Sequence, residues 1–244
     1  KSTSDGGFAV SSYETLEEKF GSWDDLKSIS KNHDLMADLV LNHVSSSHPW
    51  VQEFIKSQEP GISNAFSPDQ NLDWSNVVRP RSSSLFSQIN TEDGPKQVWT
   101  TFGPDQIDLN WHNPKMTLEF LNLIITYLSN GIKWFRLDAV GFIWKESGTT
   151  CLHLPKAHSI VKILRVLLNN LLDDGVLITE TNVPQKENLS YLISEDEAHM
   201  AYNFPLPPLL LEAIITSRAD ILNSWIYDCL LYTSDAADEP VRVD

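Results

Sequence analysis

The chain has 244 residues, 41% of them hydrophobic, which suits one domain with a sizeable core. Its 33 acidic and 18 basic residues give a formal net charge of -15, which argues against nucleic acid or an anionic membrane as partner. That balance still leaves room for a small anion held by a few local arginines. No apolar run reaches the roughly 18 residues of a membrane-spanning helix. Cys151 and Cys229 have neither metal-ligand spacing nor a disulfide framework, a usage that fits a reducing compartment. No signal peptide opens the chain. It begins at Lys1 in what reads as mid-domain, so the natural amino terminus is expected upstream.

Residues 1–12 read as a polar loop. Residues 13–30 carry Leu16, Phe20, Trp23, Leu26 and Ile29 with Gly21 between them, which predicts two short helices rather than one. Residues 35–43 form a buried strand ending in polar groups. The stretch 44–113 is rich in Ser, Pro, Asn and Asp, is far longer than an ordinary loop, and reads as an inserted subdomain whose best strand candidate is 99–102. Helical spacing of Met116, Phe120, Leu123, Ile124, Tyr127 and Leu128 predicts a helix over 114–130. Residues 131–142 then form a buried strand with a turn glycine at its front. A loop over 141–155 and a helix over 156–172 follow, with Ile160, Ile163, Leu164, Leu167 and Leu168 on one face. Strands are expected at 176–181 and 199–204, and a helix starting at Pro208. Strands alternating with helices imply βαβ units and a parallel sheet. The organisation is therefore barrel-type over 1–43, an insert over 44–113, and barrel-type again over 114–228. Residues 229–244 break the pattern and are set aside as a solvated tail or a segment foreign to the natural gene.

Three of these strands end in polar or charged groups: Asn42 and His43, Arg136 and Asp138, and Glu180. Arg136 and Asp138 are two apart, so both side chains leave the same face of their strand. A structural ion pair and a paired nucleophile both fit that arrangement. In a (β/α)8 barrel the carboxyl ends of different strands converge on one face, where the active site lies. Two carboxylates there can flank a glycosidic bond, one attacking the sugar carbon and the other protonating the leaving oxygen. Asp138 beside Arg136 suits the ionised nucleophile, and Glu180 in an apolar strand suits the acid with a raised pKa. Magnesium-assisted enolate chemistry also uses carboxylates on successive strands. It wants a third carboxylate and no arginine among the ligands, so no metal site is expected.

Asp38-Leu-Val-Leu-Asn42-His43, then Phe135-Arg136-Leu-Asp138-Ala-Val, then Ile178-Thr-Glu180-Thr-Asn resemble three ordered motifs of the α-amylase superfamily, glycoside hydrolase family 13. The insert after the first motif resembles that family's domain B. The resemblance implies a TIM barrel, present here as about its strands 3–6. It makes Asp138 the nucleophile, Glu180 the general acid/base, Arg136 the partner that orients Asp138, and His43 a sugar ligand. Asn42 and Asp38 would support the strand end.

Val78-Arg79-Pro80-Arg81, the stretch from Val98 to Asn110, Lys145-Glu146 through Pro155, and Phe204-Pro-Leu-Pro-Pro208 resemble the sucrose phosphorylase subfamily. The Trp99-to-Gln106 and Thr179-to-Pro184 stretches are most similar to its glucosylglycerate phosphorylase branch. Sucrose phosphorylases carry a His shortly after the catalytic Glu, where this chain has Asn182.

The resemblance implies a retaining phosphorylase that transfers glucosyl from an α-glucoside to inorganic phosphate, with no further cofactor and a cytoplasmic location. A planar guanidinium suits phosphate, which makes Arg81, ahead of Arg79, the expected phosphate ligand. The family's third catalytic carboxylate lies in a His-Asp motif, and none follows Glu180 here. The chain is therefore expected to be a fragment, inactive alone. An α-glucosidase or transglucosylase, and a catalytically incomplete carbohydrate-binding barrel, are the alternatives.

Overall fold

A computed structural model describes residues 6–227. A loop and a 3-10 turn, Glu18–Phe20, precede helix α1, Trp23–Ser30, with Gly21 between them as expected. Helix α1 opens on a reciprocal cap, in which Ser22 Oγ accepts from the Asp25 amide and Asp25 accepts from the Ser22 amide. Strand β1 spans Leu35–Val40, and a short strand β2, His43–Val44, follows. The insert holds helices α2 (Pro49–Ile55) and α3 (Gly61–Asn64), strands β3 (Phe86–Thr91) and β4 (Gly94–Trp99), and strand β5 (Ile107–Asp108). Helix α4 (Pro114–Ser129) leads to β6 (Ile132–Asp138), and α5 (Pro155–Leu171) leads to β7 (Val176–Glu180). Helix α6 (Gln185–Leu189), strand β8 (Met200–Ala201) and helix α7 (Leu206–Thr216) follow. Proline is the first residue of α2, α4 and α5, where a missing N–H costs nothing and a fixed φ suits the helix.

The main sheet runs β1-β6-β7-β8, all parallel, each strand beside the previous one of that sheet in the chain. That order, with helices in the crossovers, is how a (β/α)8 barrel winds, and these are four of its strands. The register is informative. Asp38 lies opposite Arg136, and Val40, Asp138 and Glu180 lie at one level across β1, β6 and β7. Helices α4 and α5 seal one face of the sheet, where Phe135, Leu137 and Leu177 pack with Met116, Phe120, Ile124, Val161, Leu164 and Leu168. The opposite face is open. Met36 on β1 and Met200 on β8 are 49% and 47% exposed.

Several expected boundaries shift for local reasons. The strand expected over 35–43 ends at Val40, and His43 pairs instead with Asp108 of β5, antiparallel. Two side chains take the carbonyls at that break: Tyr13 OH donates to Val40 O (2.6 Å) and Trp111 Nε1 to Leu41 O (2.8 Å). The strand candidate at 99–102 is misplaced, because β4 ends at Trp99 and pairs with β3 in a hairpin. Beyond it, the Thr101 amide donates to the Asp108 carboxylate at 3.0 Å, not to a strand. The run expected over 131–142 stops at Asp138, because Ala139 adopts left-handed backbone (φ 54°) before a 3-10 turn over Val140–Phe142. At its other end Gly131 is needed. Its φ is 87°, and a Cβ there would lie 2.1 Å from Ser30 Oγ. The strand expected over 199–204 is only Met200–Ala201, since Asn203 Oδ1 already accepts from the Leu206 amide at the start of α7. Helix α7 starts at Leu206 rather than Pro208, with its prolines in the first turn, where they are tolerated. The tail at 229–244 lies outside the described residues.

Candidate active site

The carboxyl ends of β6 and β7 carry Asp138 and Glu180 side by side, because the two residues are register partners on adjacent parallel strands. Arg136 reaches the same level from two positions earlier. Its Nη1 lies 2.9 Å from Asp138 Oδ1 and 2.7 Å from Asp38 Oδ1, and its Nη2 lies 3.8 Å from Glu180 Oε1. The guanidinium is sandwiched between aromatic rings, 5.4 Å from the Phe8 centroid and 5.1 Å from that of Tyr202. Three carboxylates thus surround one cation. Ala139, in its strained left-handed conformation, turns its amide to Glu180 Oε2 at 3.4 Å.

A cavity of about 410 Å³ opens above these groups, lined by Phe8, His43, Arg81, Phe102, Gln106, Arg136, Asp138 and Glu180. A second chamber of about 320 Å³ adjoins it, sharing Arg81, Phe102 and Glu180 and adding Phe142, Thr181 and Asn182. Of the residues that the sequence singled out, five line the main cavity: His43, Arg81, Arg136, Asp138 and Glu180. Arg79 does not; its Nη2 donates to the Ser83 carbonyl within the insert. Asp38 backs Arg136, as expected of a support residue.

The electrostatics differ from the expectation in one respect. Arg136 was expected to keep Asp138 fully ionised. Burial instead raises the Asp138 pKa from 3.8 to about 6; Arg136 pulls it down, and Glu180 and Asp38 push it up. Arg136 cannot offset the loss of water because it is shared among three carboxylates. Asp138 therefore ionises just below neutral pH.

Beneath the cavity lies a polar cluster that the sequence reading missed. Lys145 and Asp108 are almost completely buried and form an ion pair at 2.7 Å. Lys145 Nζ also donates to Asn42 Oδ1 at 2.9 Å and to the Phe142 carbonyl. Asp108 accepts from Asn42 Nδ2 (3.0 Å), the Thr101 amide (3.0 Å) and Thr101 Oγ1 (2.6 Å). The cluster ties the end of β1, the insert and the turn after Asp138 to one another. Its signal was present in the sequence: Asp108 stands between Ile107 and Leu109, and Lys145 follows Ile143-Trp144. A charge inside an apolar run is what drew attention to Arg136 and Asp138.

A parallel sheet wound in barrel order, with facing carboxylates at the carboxyl ends of neighbouring strands, defines part of a (β/α)8 enzyme barrel. The chain belongs to the α-amylase family: the alpha amylase catalytic domain matches residues 1–227. It is 45% identical over 225 residues to the glucosylglycerate phosphorylase of Allomeiothermus silvanus, covering 92% of this chain and 40% of that protein. It is 40% identical over 236 residues to that of Escherichia coli, covering 96% of this chain and 42% of that protein. The crystal structure of sucrose 6F-phosphate phosphorylase from Thermoanaerobacter thermosaccharolyticum superposes with a TM-score of 0.81 at 26% identity. The superposition covers 92% of this chain and 48% of that one. The chain thus spans about 40% of the length of the curated relatives it matches. The expected family and its phosphorylase subfamily are borne out.

Proposed function

We propose that the protein carrying this chain is a retaining α-glucoside phosphorylase. The observation that carries the reading is the register pairing of Asp138 with Glu180 on one cavity wall. Parallel strands lie about 4.8 Å apart, which matches the carboxyl separation of about 5–5.5 Å in a retaining double displacement. Asp138 attacks the anomeric carbon as the glycosidic C–O bond breaks, and Glu180 gives its proton to the departing oxygen. Phosphate then attacks the glucosyl-Asp138 ester. That step restores the Asp138 carboxylate, returns a proton to Glu180 and yields α-glucose 1-phosphate.

Arg136 orients Asp138, and His43 holds a sugar hydroxyl. Arg81, exposed on the insert and facing both chambers, receives phosphate. No further cofactor takes part. The names of the relatives make glycerate the first acceptor to try, and a product consumed inside cells makes the cytoplasm the expected location.

The test is glucose 1-phosphate release by the full-length protein from a panel of α-glucosides, glucosylglycerate included, with and without phosphate. Phosphate-dependent release that Asp138→Asn abolishes is the expected result. Free glucose formed equally without phosphate would make the protein a glucosidase or transglucosylase. Binding of glucosides with no turnover would make it a carbohydrate-binding barrel.

A further inference from the structure

The buried cluster under the cavity has a consequence for His43. Lys145 Nζ can only donate, so the Asn42 atom 2.9 Å from it is the carbonyl oxygen. The Asp108 carboxylate can only accept, so the Asn42 atom 3.0 Å from its Oδ2 is the amide nitrogen. Two partners of opposite character therefore fix the orientation of the Asn42 amide, which one neighbour alone leaves to assignment. That same Nδ2 lies 3.3 Å from His43 Nδ1. An NH₂ group facing an imidazole nitrogen requires that nitrogen to be the acceptor, so the ring proton resides on Nε2. His43 is 2% exposed and packs 5.2 Å from the Phe102 ring, which holds the imidazole in place. Its Nε2 lies beside Gln106 at 3.1 Å, at the cavity wall.

We propose that the Lys145–Asp108 ion pair is a positioning device that sets the tautomer of His43 through Asn42, so that His43 presents an N–H donor to the cavity. Water could reorient an exposed asparagine, but Asn42 is fully buried. The pair thus carries information from the insert, which supplies Asp108, to a side chain on the barrel side. Lys145 adds a second link, since it also holds the Phe142 carbonyl in the turn that follows Asp138.

The test uses the full-length protein labelled with ¹⁵N at histidine, with long-range proton–nitrogen correlation at pH 8 and the His43 signals assigned by comparison with His43→Gln. Wild type is expected to show a protonated Nε2 and an unprotonated Nδ1. Asn42→Leu removes the donor. The double variant Lys145→Met with Asp108→Asn removes both charges, so neither is left buried alone. Both variants are expected to show averaged or reversed nitrogen signals, with the far-ultraviolet circular dichroism of the wild type. A protonated Nδ1 in wild type, or wild-type signals in folded variants of both kinds, would overturn the proposal. Its consequence for rate rests on the phosphorylase reading: kcat/KM for the glucoside falls at least tenfold in both variants. The nitrogen spectra do not rest on that reading, so a failure of one remains distinguishable from a failure of the other.

Discussion

Replacing Asp138 by Asn should stabilise the protein at neutral pH while ending turnover. Asp138 has a folded pKa of about 6 against an ordinary value of 3.8, with burial as the largest cause. A group whose folded pKa is raised adds stability that is fully present below about pH 4 and is lost as pH rises through about 6. At about 1.4 kcal/mol for each tenfold step in proton affinity, the ionised form costs the fold about 3 kcal/mol at pH 8. Asparagine copies the protonated carboxyl in shape and charge, so the variant escapes that cost. Arg136 keeps Asp38 at 2.7 Å when Asp138 is gone, so no buried cation is stranded. Thermal melts of the two proteins from pH 4 to 8.5 should coincide at the acid end. They should diverge through pH 6 and level off above pH 7, with the variant higher. Parallel curves, or a wild type more stable at pH 8, would refute the account of Asp138 as a desolvated carboxylate.

The same titration predicts that kcat/KM for the glucoside rises with pH through about 6 as Asp138 ionises, read from initial rates between pH 4.5 and 8. Arg81→Ala should raise the KM for phosphate by about 10- to 100-fold, the loss of a charge-assisted hydrogen bond. Arg79→Ala, which loses only a contact to the Ser83 carbonyl, should leave that KM unchanged. Gly131→Ala should lower stability by about 1–3 kcal/mol in denaturant titration, because the backbone is left-handed there and the new methyl meets Ser30. Phe120→Ala should cost about 3–5 kcal/mol, since its ring is fully buried and stacks on Trp111 at 5.0 Å.

Much of the fold was legible before any coordinates. Helices α4 and α5 lie within one residue of their expected bounds, because one apolar face and a proline start are purely local signals. The parity of Arg136 and Asp138 also needed only the two-residue period of a strand. With the ordered motifs, that parity was enough to name the pair of carboxylates and to expect the insert.

Other features depended on the tertiary structure. The sequence could not place Asp138 opposite Glu180, since register comes from packing two strands against shared helices. It could not separate Arg81, which faces the cavity, from Arg79, two residues away, because an irregular loop has no period to read. It implied the wrong sign for the Asp138 pKa, since a neighbouring arginine is visible in sequence while the depth of burial is not. The Lys145–Asp108 pair joins positions 37 residues apart that local patterning treats as unrelated. Residue types and their spacing determined which groups could do the chemistry. Only the folded arrangement decided which of them meet, and how much water is left around them.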